Sequence, residues 1–223
     1  MDSQLIILCF TAASIGIFHT LLGPDHYLPF VVLSKARRWS RTKTVWITLA
    51  CGIGHVGSSI LIGAIGIATG VALSKLEFIE SFRGDLAAWF FIIFGSIYAL
   101  WGIRKAFKRR SGIEVETQIG NPKSDKTSYR SLSPWILFVI FVFGPCEPLI
   151  PLLMFPAIQH SISGVVIITA VFGISTIVTM SFVVWSLTTG FQRLKTDRLE
   201  RYSHVLAGAV ILCCGLAIRF MGL

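Results

Sequence analysis

The chain has 223 residues, of which 54% are hydrophobic and only 14% are charged, and its formal net charge is +9. Water-soluble domains carry about 25% charged residues, so this composition excludes an ordinary soluble globule, a coiled coil and a disordered chain. One membrane span takes about 20 apolar residues, which leaves room for roughly six spans. The sequence therefore predicts an all-α, multi-pass membrane protein whose first partner is the lipid bilayer.

Six apolar segments follow one another along the chain. We expect each to be helical because lipid offers no hydrogen-bond partner to backbone groups. The predicted spans are Leu5–Leu33, Val45–Leu73, Leu86–Ile103, Pro134–Ile158, Ser163–Gly190 and Tyr202–Leu223.

The basic residues lie between these segments rather than in one patch, which argues against a nucleic-acid partner. In chain order, the five connections hold 5, 2, 8, 0 and 4 Lys and Arg residues. Positively charged loops stay in the cytoplasm, so this alternation predicts a protein of the cell (inner) membrane with both termini outside. The second connection is interpreted as an external loop in which Lys75 and Arg83 are balanced by Glu77, Glu80 and Asp85.

The third connection, residues 105–133, is the long polar stretch, and its Gly and Pro residues predict a cytoplasmic linker. It separates residues 1–104 from residues 134–223, with three predicted spans in each part. Gly23-Pro24-Asp25-His26 in the first span corresponds to Gly144-Pro145-Cys146-Glu147-Pro148 in the fourth. An odd number of spans per repeat inverts the second copy. The predicted architecture is therefore six transmembrane helices in two inverted three-helix repeats, with helices 1 and 4 broken.

Two acidic residues lie inside these spans, where lipid is expected. Asp25 follows the first Gly-Pro pair, and Glu147 lies beside the second. A charge at the bilayer centre is costly, so each residue marks a candidate functional site.

Histidines accompany the acidic residues. His19 lies seven residues before His26, and His55 is flanked by glycines in the second span. Imidazole suits transition metals, carboxylate adds charge, and thiolate binds softer ions. The predicted metal ligands are His19, Asp25, His26, His55, Glu147 and Cys146.

Three of these residues have plainer interpretations. His55 alone is also consistent with an ordinary hydrogen bond between helices. Asp25 is also consistent with a cap on the helix half that follows Pro24. Cys146 is also consistent with a small apolar filler.

The segment from His19 to His26 resembles the His-x4-Asp-His pattern of nickel/cobalt permeases and the related urease-accessory-type membrane proteins. This resemblance implies metal-selecting roles for His19, Asp25, His26 and His55. The segment around Cys146 is instead similar to the wider lysine-exporter superfamily. That superfamily includes thiol–disulfide electron carriers of cytochrome c biogenesis and sulfite-exporter-like proteins.

These observations favour a secondary transporter, not an enzyme, that moves a divalent transition metal, nickel or cobalt, through a site at the midplane. The metal is the substrate, no tightly bound cofactor is expected, and a homo-oligomer is allowed. One alternative is a membrane thiol–disulfide carrier that uses Cys146. This chemistry needs two thiols, and the position that matches Cys146 in the first repeat holds Asp25. A sulfite or anion exporter, or a structural or assembly role, is also left open.

Overall fold

The computed structural model describes residues 3–110, 125–158, 161–193 and 197–221. Within these ranges every regular element is helical and no strand occurs. A 3₁₀ turn, Pro24–His26, separates the first two of the α-helices. The α-helices are α1 Ser3–Leu22, α2 Leu28–Arg37, α3 Arg41–Thr69, α4 Leu73–Arg110, α5 Asp125–Phe143, α6 Leu149–Ile158, α7 Ile162–Arg193 and α8 Asp197–Met221.

Several helices are long and apolar enough to cross a bilayer. The qualifying segments in the described part of the chain are Ser3–Leu22, Arg41–Thr69, Leu73–Phe107, Ile162–Phe191 and Tyr202–Met221, and Pro134–Phe143 is a shorter apolar helix. Large apolar side chains such as Phe10, Trp46 and Phe182 are exposed on their outer faces. Continuous apolar exposure of this kind is suited to lipid rather than water. The prediction of an all-helical, multi-pass membrane protein is confirmed.

Both Gly-Pro motifs interrupt the helix in which they lie. Helix α1 ends at Leu22 and helix α5 ends at Phe143, so the first and fourth predicted spans each consist of two helical pieces. Proline lacks a backbone N–H, and its ring clashes with the carbonyl four residues earlier. The helix therefore stops before Pro24 and before Pro145, as the sequence predicts.

Helix α4 differs from the prediction. It begins at Leu73, so the segment that was interpreted as an external loop before Leu86 is helical, and that prediction is wrong. Glu80 and Arg83 of this segment are 1% and 7% exposed. They lie one turn apart and form an ion pair. Each neutralises the other, so two charges that resembled those of a loop are buried in a helix.

The predicted linker, residues 105–133, is helical at both of its described ends. Helix α4 continues to Arg110, and helix α5 begins at Asp125. Residues 111–124 lie outside the described residues, as do the last two residues of the predicted sixth span.

Helices α4 and α8 pack along much of their length. A side-chain carbon added at Gly208 would overlap the backbone of Ala99, and one added at Gly95 would overlap the backbone of Leu212. Small residues let helix backbones approach closely in membranes, where lipid tails remove the hydrophobic driving force between helices. This close pair of helices forms one wall of the interior in which the two broken helices lie.

Candidate functional site

The first break is closed by its own backbone. The Gly23 N–H donates to the His19 carbonyl oxygen over 3.1 Å, and the His26 N–H donates to the Gly23 carbonyl oxygen over 3.1 Å. The Tyr27 N–H donates to the Pro24 carbonyl oxygen over 3.3 Å. These local bonds hold His19, at the end of α1, close to His26 in the 3₁₀ turn.

The second break is held by side chains of another helix. The Cys146 N–H donates to Glu80 Oε2 over 3.0 Å. Arg83 Nη2 donates to the carbonyl oxygens of Val142, over 2.7 Å, and of Gly144, over 3.3 Å. The last carbonyls of a helix have no partner within the helix, and a buried helix end needs one. Helix α4 supplies these partners, and it thereby fixes the backbone on both sides of Pro145.

Two serines of α3 complete this polar network. Ser59 Oγ donates to Glu80 Oε2 over 3.0 Å, and Arg83 Nη2 donates to Ser58 Oγ over 2.6 Å. A buried ion pair is tolerated only when further hydrogen bonds satisfy its remaining groups. The network joins α3, which also carries His55, to α4 and to the second break. Sequence reasoning missed Glu80 and Arg83, although their opposite charges at a spacing of three residues were an available signal.

Three histidine rings come together from α1, the 3₁₀ turn and α3. The distances between ring centroids are 4.7 Å for His19 and His26, 5.1 Å for His26 and His55, and 6.4 Å for His19 and His55. His26 and His55 are buried and His19 is partly buried.

Cys146 lies against this group. One ligand atom each from His19, His55 and Cys146 lie within 4.8 Å of one another, and the thiol is fully buried. No second cysteine joins the group among the residues that the structure describes. Cys51, which is also buried, belongs to a separate apolar cluster.

The two acidic candidates occupy different positions. Asp25 Oδ1 lies 3.3 Å from His26 Nδ1, so this carboxylate contacts the histidine group through one ring. Helix α2 has no side-chain cap, and the interpretation of Asp25 as a cap is therefore wrong. Glu147 is exposed and lines a cavity that the histidines also line, but it is not part of the cluster of His19, His55 and Cys146.

A cavity of about 330 Å³ leads to the histidines. His19, Asp25, His26 and His55 line it, together with exposed charged residues. Two of these, Asp85 of α4 and Arg219 of α8, form an ion pair of 3.4 Å between Oδ1 and Nη1. Cys146 is not part of the cavity wall. The imidazoles therefore belong to the cavity wall, whereas the thiol does not.

Several ring nitrogens at this site lack partners. His19 Nε2, His26 Nε2 and both ring nitrogens of His55 are buried and have no hydrogen-bond partner in the described part of the protein. The interpretation of His55 as an ordinary hydrogen bond between helices stays a prediction. Buried polar groups are normally paired, so this group of nitrogens calls for a ligand or a reaction partner.

Comparison with known proteins identifies one family. A family model described as the cytochrome C biogenesis protein transmembrane region matches residues 28–218. The match includes His55 and Cys146, and it begins after the 3₁₀ turn that carries Asp25 and His26. Searches of the curated proteins and of the solved structures find no significant match.

This match overturns the predicted nickel or cobalt transporter and favours the thiol–disulfide alternative. The permease pattern itself is absent, because five residues separate His19 from Asp25 where the pattern has four. The resemblance to the wider superfamily that holds thiol–disulfide carriers is supported. By a match that covers most of its length, the chain belongs to the family of cytochrome c biogenesis protein transmembrane regions.

Proposed function

We propose that the chain is a membrane thiol–disulfide carrier whose reacting group is the thiol of Cys146. The observation that carries this proposal is the position of Cys146. It lies at a helix break, in a chain of this family, with its sulfur within 4.8 Å of ring nitrogens of His19 and His55. The thiolate is the nucleophile in disulfide exchange, and an adjacent base that takes up the thiol proton activates it.

The exchange proceeds in three balanced steps. The Cys146 sulfur attacks a disulfide of an acceptor, the acceptor disulfide breaks, and a mixed disulfide forms while one acceptor sulfur leaves as a thiolate. The proton released by Cys146 passes through a neighbouring imidazole to that leaving thiolate. A dithiol reductant then attacks the Cys146 sulfur of the mixed disulfide and releases the acceptor as a dithiol. The second thiol of the reductant attacks its first sulfur, which closes the reductant's disulfide and frees Cys146 as a thiol. One dithiol is oxidised and one disulfide is reduced in each cycle.

Both co-reactants are external to the chain in this proposal. The position that matches Cys146 in the first break holds Asp25, and no described cysteine joins Cys146 at the site. A resolving thiol must therefore enter with the reductant. Since Cys146 is fully buried behind the cavity wall, the exchange also requires the segment between Gly144 and Leu149 to move.

The proposal includes two inverted halves of three spans each, α1 to α4 and α5 to α8. In each half the first span is broken into two helices. Helix contacts across the halves support this arrangement, because most of them have a counterpart when the halves are exchanged. Helix α1 packs on α7 as α5 packs on α3, and α2 packs on α8 as α6 packs on α4. The contacts of α3 with α7 and of α4 with α8 are their own counterparts. Transporters with inverted repeats place their sites where the broken helices meet.

The orientation follows the charges of the connections. If the positively charged connections lie in the cytoplasm, both termini lie on the outer side of the inner membrane. Asp85 and Arg219 then lie on the outer side, and the cavity opens away from the cytoplasm. In this proposal the chain carries reducing equivalents from a dithiol partner to a disulfide partner and is not an enzyme.

Vesicles that contain the purified chain test the proposal. They enclose a reduced dithiol protein, and the rate at which they reduce a membrane-impermeant disulfide dye outside is measured. We expect Cys146→Ser to lower this rate by more than about tenfold because the nucleophile is lost. The matched control is Cys51→Ser, which removes a buried thiol of the other apolar cluster and leaves the rate unchanged. Equal rates for the wild type and Cys146→Ser would contradict the proposal.

A further inference from the structure

The unpartnered nitrogens at the site all belong to imidazoles and lie beside a thiol. His19 Nε2, His26 Nε2 and both ring nitrogens of His55 are buried without a hydrogen-bond partner among the described residues. Cys146 is fully buried next to two of these rings. A proton-transfer role needs only one base beside the thiol. Three rings therefore exceed what disulfide exchange requires.

The spacing of these groups fits one small ion. The ligand atoms of His19, His55 and Cys146 lie within 4.8 Å of one another. Zinc bonds of about 2.3 Å to sulfur and about 2.1 Å to nitrogen place tetrahedral ligands roughly 3.5 Å apart. The outermost pair needs to close by about 1 Å, which ordinary side-chain rotation supplies at a helix end and at a break.

His26 lies outside the group of ligand atoms within 4.8 Å of one another, but its ring contacts both His19 and His55, which makes it the candidate for a fourth ligand. Its Nδ1 lies 3.2 Å from the Gly23 carbonyl oxygen and 3.3 Å from Asp25 Oδ1. Metal-binding histidines almost always donate their other ring N–H to a carbonyl or a carboxylate, which fixes the tautomer. With the proton held on Nδ1, the unpartnered Nε2 of His26 keeps its lone pair for an ion.

We infer that His19, His26, His55 and Cys146 form a site for one borderline transition-metal ion such as zinc, in which Cys146 is bound as the thiolate. Imidazole and thiolate are the ligand types that zinc takes, and four of them fit its tetrahedral coordination. Imidazole and thiolate exclude magnesium and calcium, which take oxygen ligands. The ion is held at the site and is not transported.

Metal binding at this site controls the proposed exchange. A thiolate bound to the ion has given its lone pair to the metal, so a disulfide that enters through the cavity must compete with the ion for the sulfur. The metal-bound chain is therefore the protected form, and the metal-free chain is the reactive form. This regulatory part rests on the proposed function, whereas the existence of the site does not.

Cobalt(II) provides the test because its absorption reports the ligands of the site. The full chain, purified with a tag that contains no histidine, is titrated with cobalt(II) in detergent. We expect one ion per chain, with visible ligand-field bands and a near-ultraviolet sulfur-to-cobalt charge-transfer band. Added zinc should abolish both signals because zinc binds nitrogen and sulfur ligands more tightly than cobalt does.

Variants assign the ligands. Cys146→Ser should abolish the charge-transfer band and leave the fold intact, because serine differs from cysteine by one atom. His55→Gln should weaken cobalt binding by more than about tenfold, and Asp25→Asn should weaken it by about 10–100-fold through the loss of the carboxylate behind His26. The matched controls should bind cobalt as the wild type does. They are Cys51→Ser, in the other apolar cluster, and His204→Gln, whose ring contacts Tyr98 and Trp101 and not the site.

Two outcomes overturn the inference. Folded wild-type chain that binds no cobalt or zinc contradicts the site, and so does a charge-transfer band that survives in Cys146→Ser. The inference and the proposed function fail separately. Metal binding without disulfide exchange would support the metal site and contradict the proposed carrier function. Disulfide exchange in a chain that binds no metal would support the carrier function and contradict the metal site. Alkylation of Cys146 that zinc does not slow contradicts the regulatory part alone.

Discussion

The two breaks have similar sequences but are stabilised in different ways. In the first, Gly23-Pro24-Asp25-His26 forms a 3₁₀ turn, and its own backbone supplies its hydrogen bonds. In the second, the backbone also closes a turn, from the Leu149 N–H to the Cys146 carbonyl oxygen over 2.9 Å, but Glu80 and Arg83 of α4 add side-chain bonds to the break that the first break lacks. The carboxylates differ in the same way. Asp25 contacts His26 within its own break, whereas in the second break Glu147 is exposed and the carboxylate of Glu80, from α4, accepts the hydrogen bond of the Cys146 N–H.

Because of this difference, the two breaks position different side chains and are held in place by different parts of the chain. The first break is a self-contained element that presents imidazoles, since Asp25 and the Gly23 carbonyl orient His26. The second break presents the thiol, and its geometry is set by a helix that is distant in sequence. A backbone that relies on a partner helix moves when that partner shifts. The proposed exchange therefore requires a movement of the second break, where Cys146 lies.

Removal of Arg83 should be the most damaging change. Arg83→Met leaves Glu80 buried without a counter-charge and leaves the carbonyl oxygens of Val142 and Gly144 unpaired. We expect it to cost about 3–5 kcal/mol in the free energy of unfolding. The measurement is denaturant unfolding of the purified chain in detergent, together with alkylation of Cys146, which should become faster.

Arg219→Met is the matched control for this prediction. It breaks the ion pair with Asp85. The side chains of Arg219 and Asp85 are 44% and 53% exposed. Exposed ion pairs contribute about 0–1 kcal/mol to the free energy of unfolding. The double variant Glu80→Met with Arg83→Met should recover part of the loss, because no buried charge remains. Equal unfolding of Arg83→Met and Arg219→Met would show that the second break does not depend on α4.

A smaller effect is expected from Ser59. Ser59→Ala removes a donor to the buried Glu80 carboxylate, and hydrogen bonds to charged groups contribute about 1.5–3 kcal/mol. Thr48→Val in the same helix serves as the comparison. It removes only a bond from Thr48 Oγ1 to the Thr44 carbonyl oxygen, and a neutral bond contributes about 0.5–1.5 kcal/mol. Thermal unfolding of both variants checks the difference, and a larger loss in Thr48→Val would contradict this role of Glu80.

The smallest predicted effect compares the two glycines that begin the breaks. A side-chain carbon at Gly23 would lie 2.5 Å from His26 Nδ1, whereas one at Gly144 would lie 3.1 Å from His55 Nδ1. Overpacking of a close-packed interior costs about 1–3 kcal/mol, so Gly23→Ala should be less stable than Gly144→Ala by about 1 kcal/mol. The same unfolding assay measures both variants. A more stable Gly23→Ala would show that His26 is not held in place by the first break.

Composition and local chemistry were enough to predict much of the fold. Apolar runs of sufficient length predict the membrane helices, and proline predicts where two of them stop, because both effects act within a few residues of sequence. The beginning of α4 was not predictable in the same way. In the sequence, Glu80 and Arg83 resemble the charges of a loop. Only the structure shows that Ser58 and Ser59, on another helix, are their hydrogen-bond partners.

The site was predictable in its residues but not in its arrangement. Unusual side chains inside apolar runs singled out His19, His26, His55 and Cys146, and the structure brings these four together. Sequence alone could not show that Glu147 lines the cavity without joining the cluster of His19, His55 and Cys146, because the direction of a side chain at a break depends on the packing around it. Family membership, rather than any local pattern, corrected the predicted function.

The reactivity of Cys146 in intact membranes is the most direct test of the central claim. Membranes that contain the chain are exposed to an impermeant disulfide reagent, quenched with acid, alkylated, and analysed by mass spectrometry of the peptides that carry each cysteine. The account predicts a mixed disulfide on Cys146 that a dithiol removes, with Cys51 unmodified. A Cys146 that stays a free thiol throughout, while reducing equivalents still cross the membrane, would contradict it.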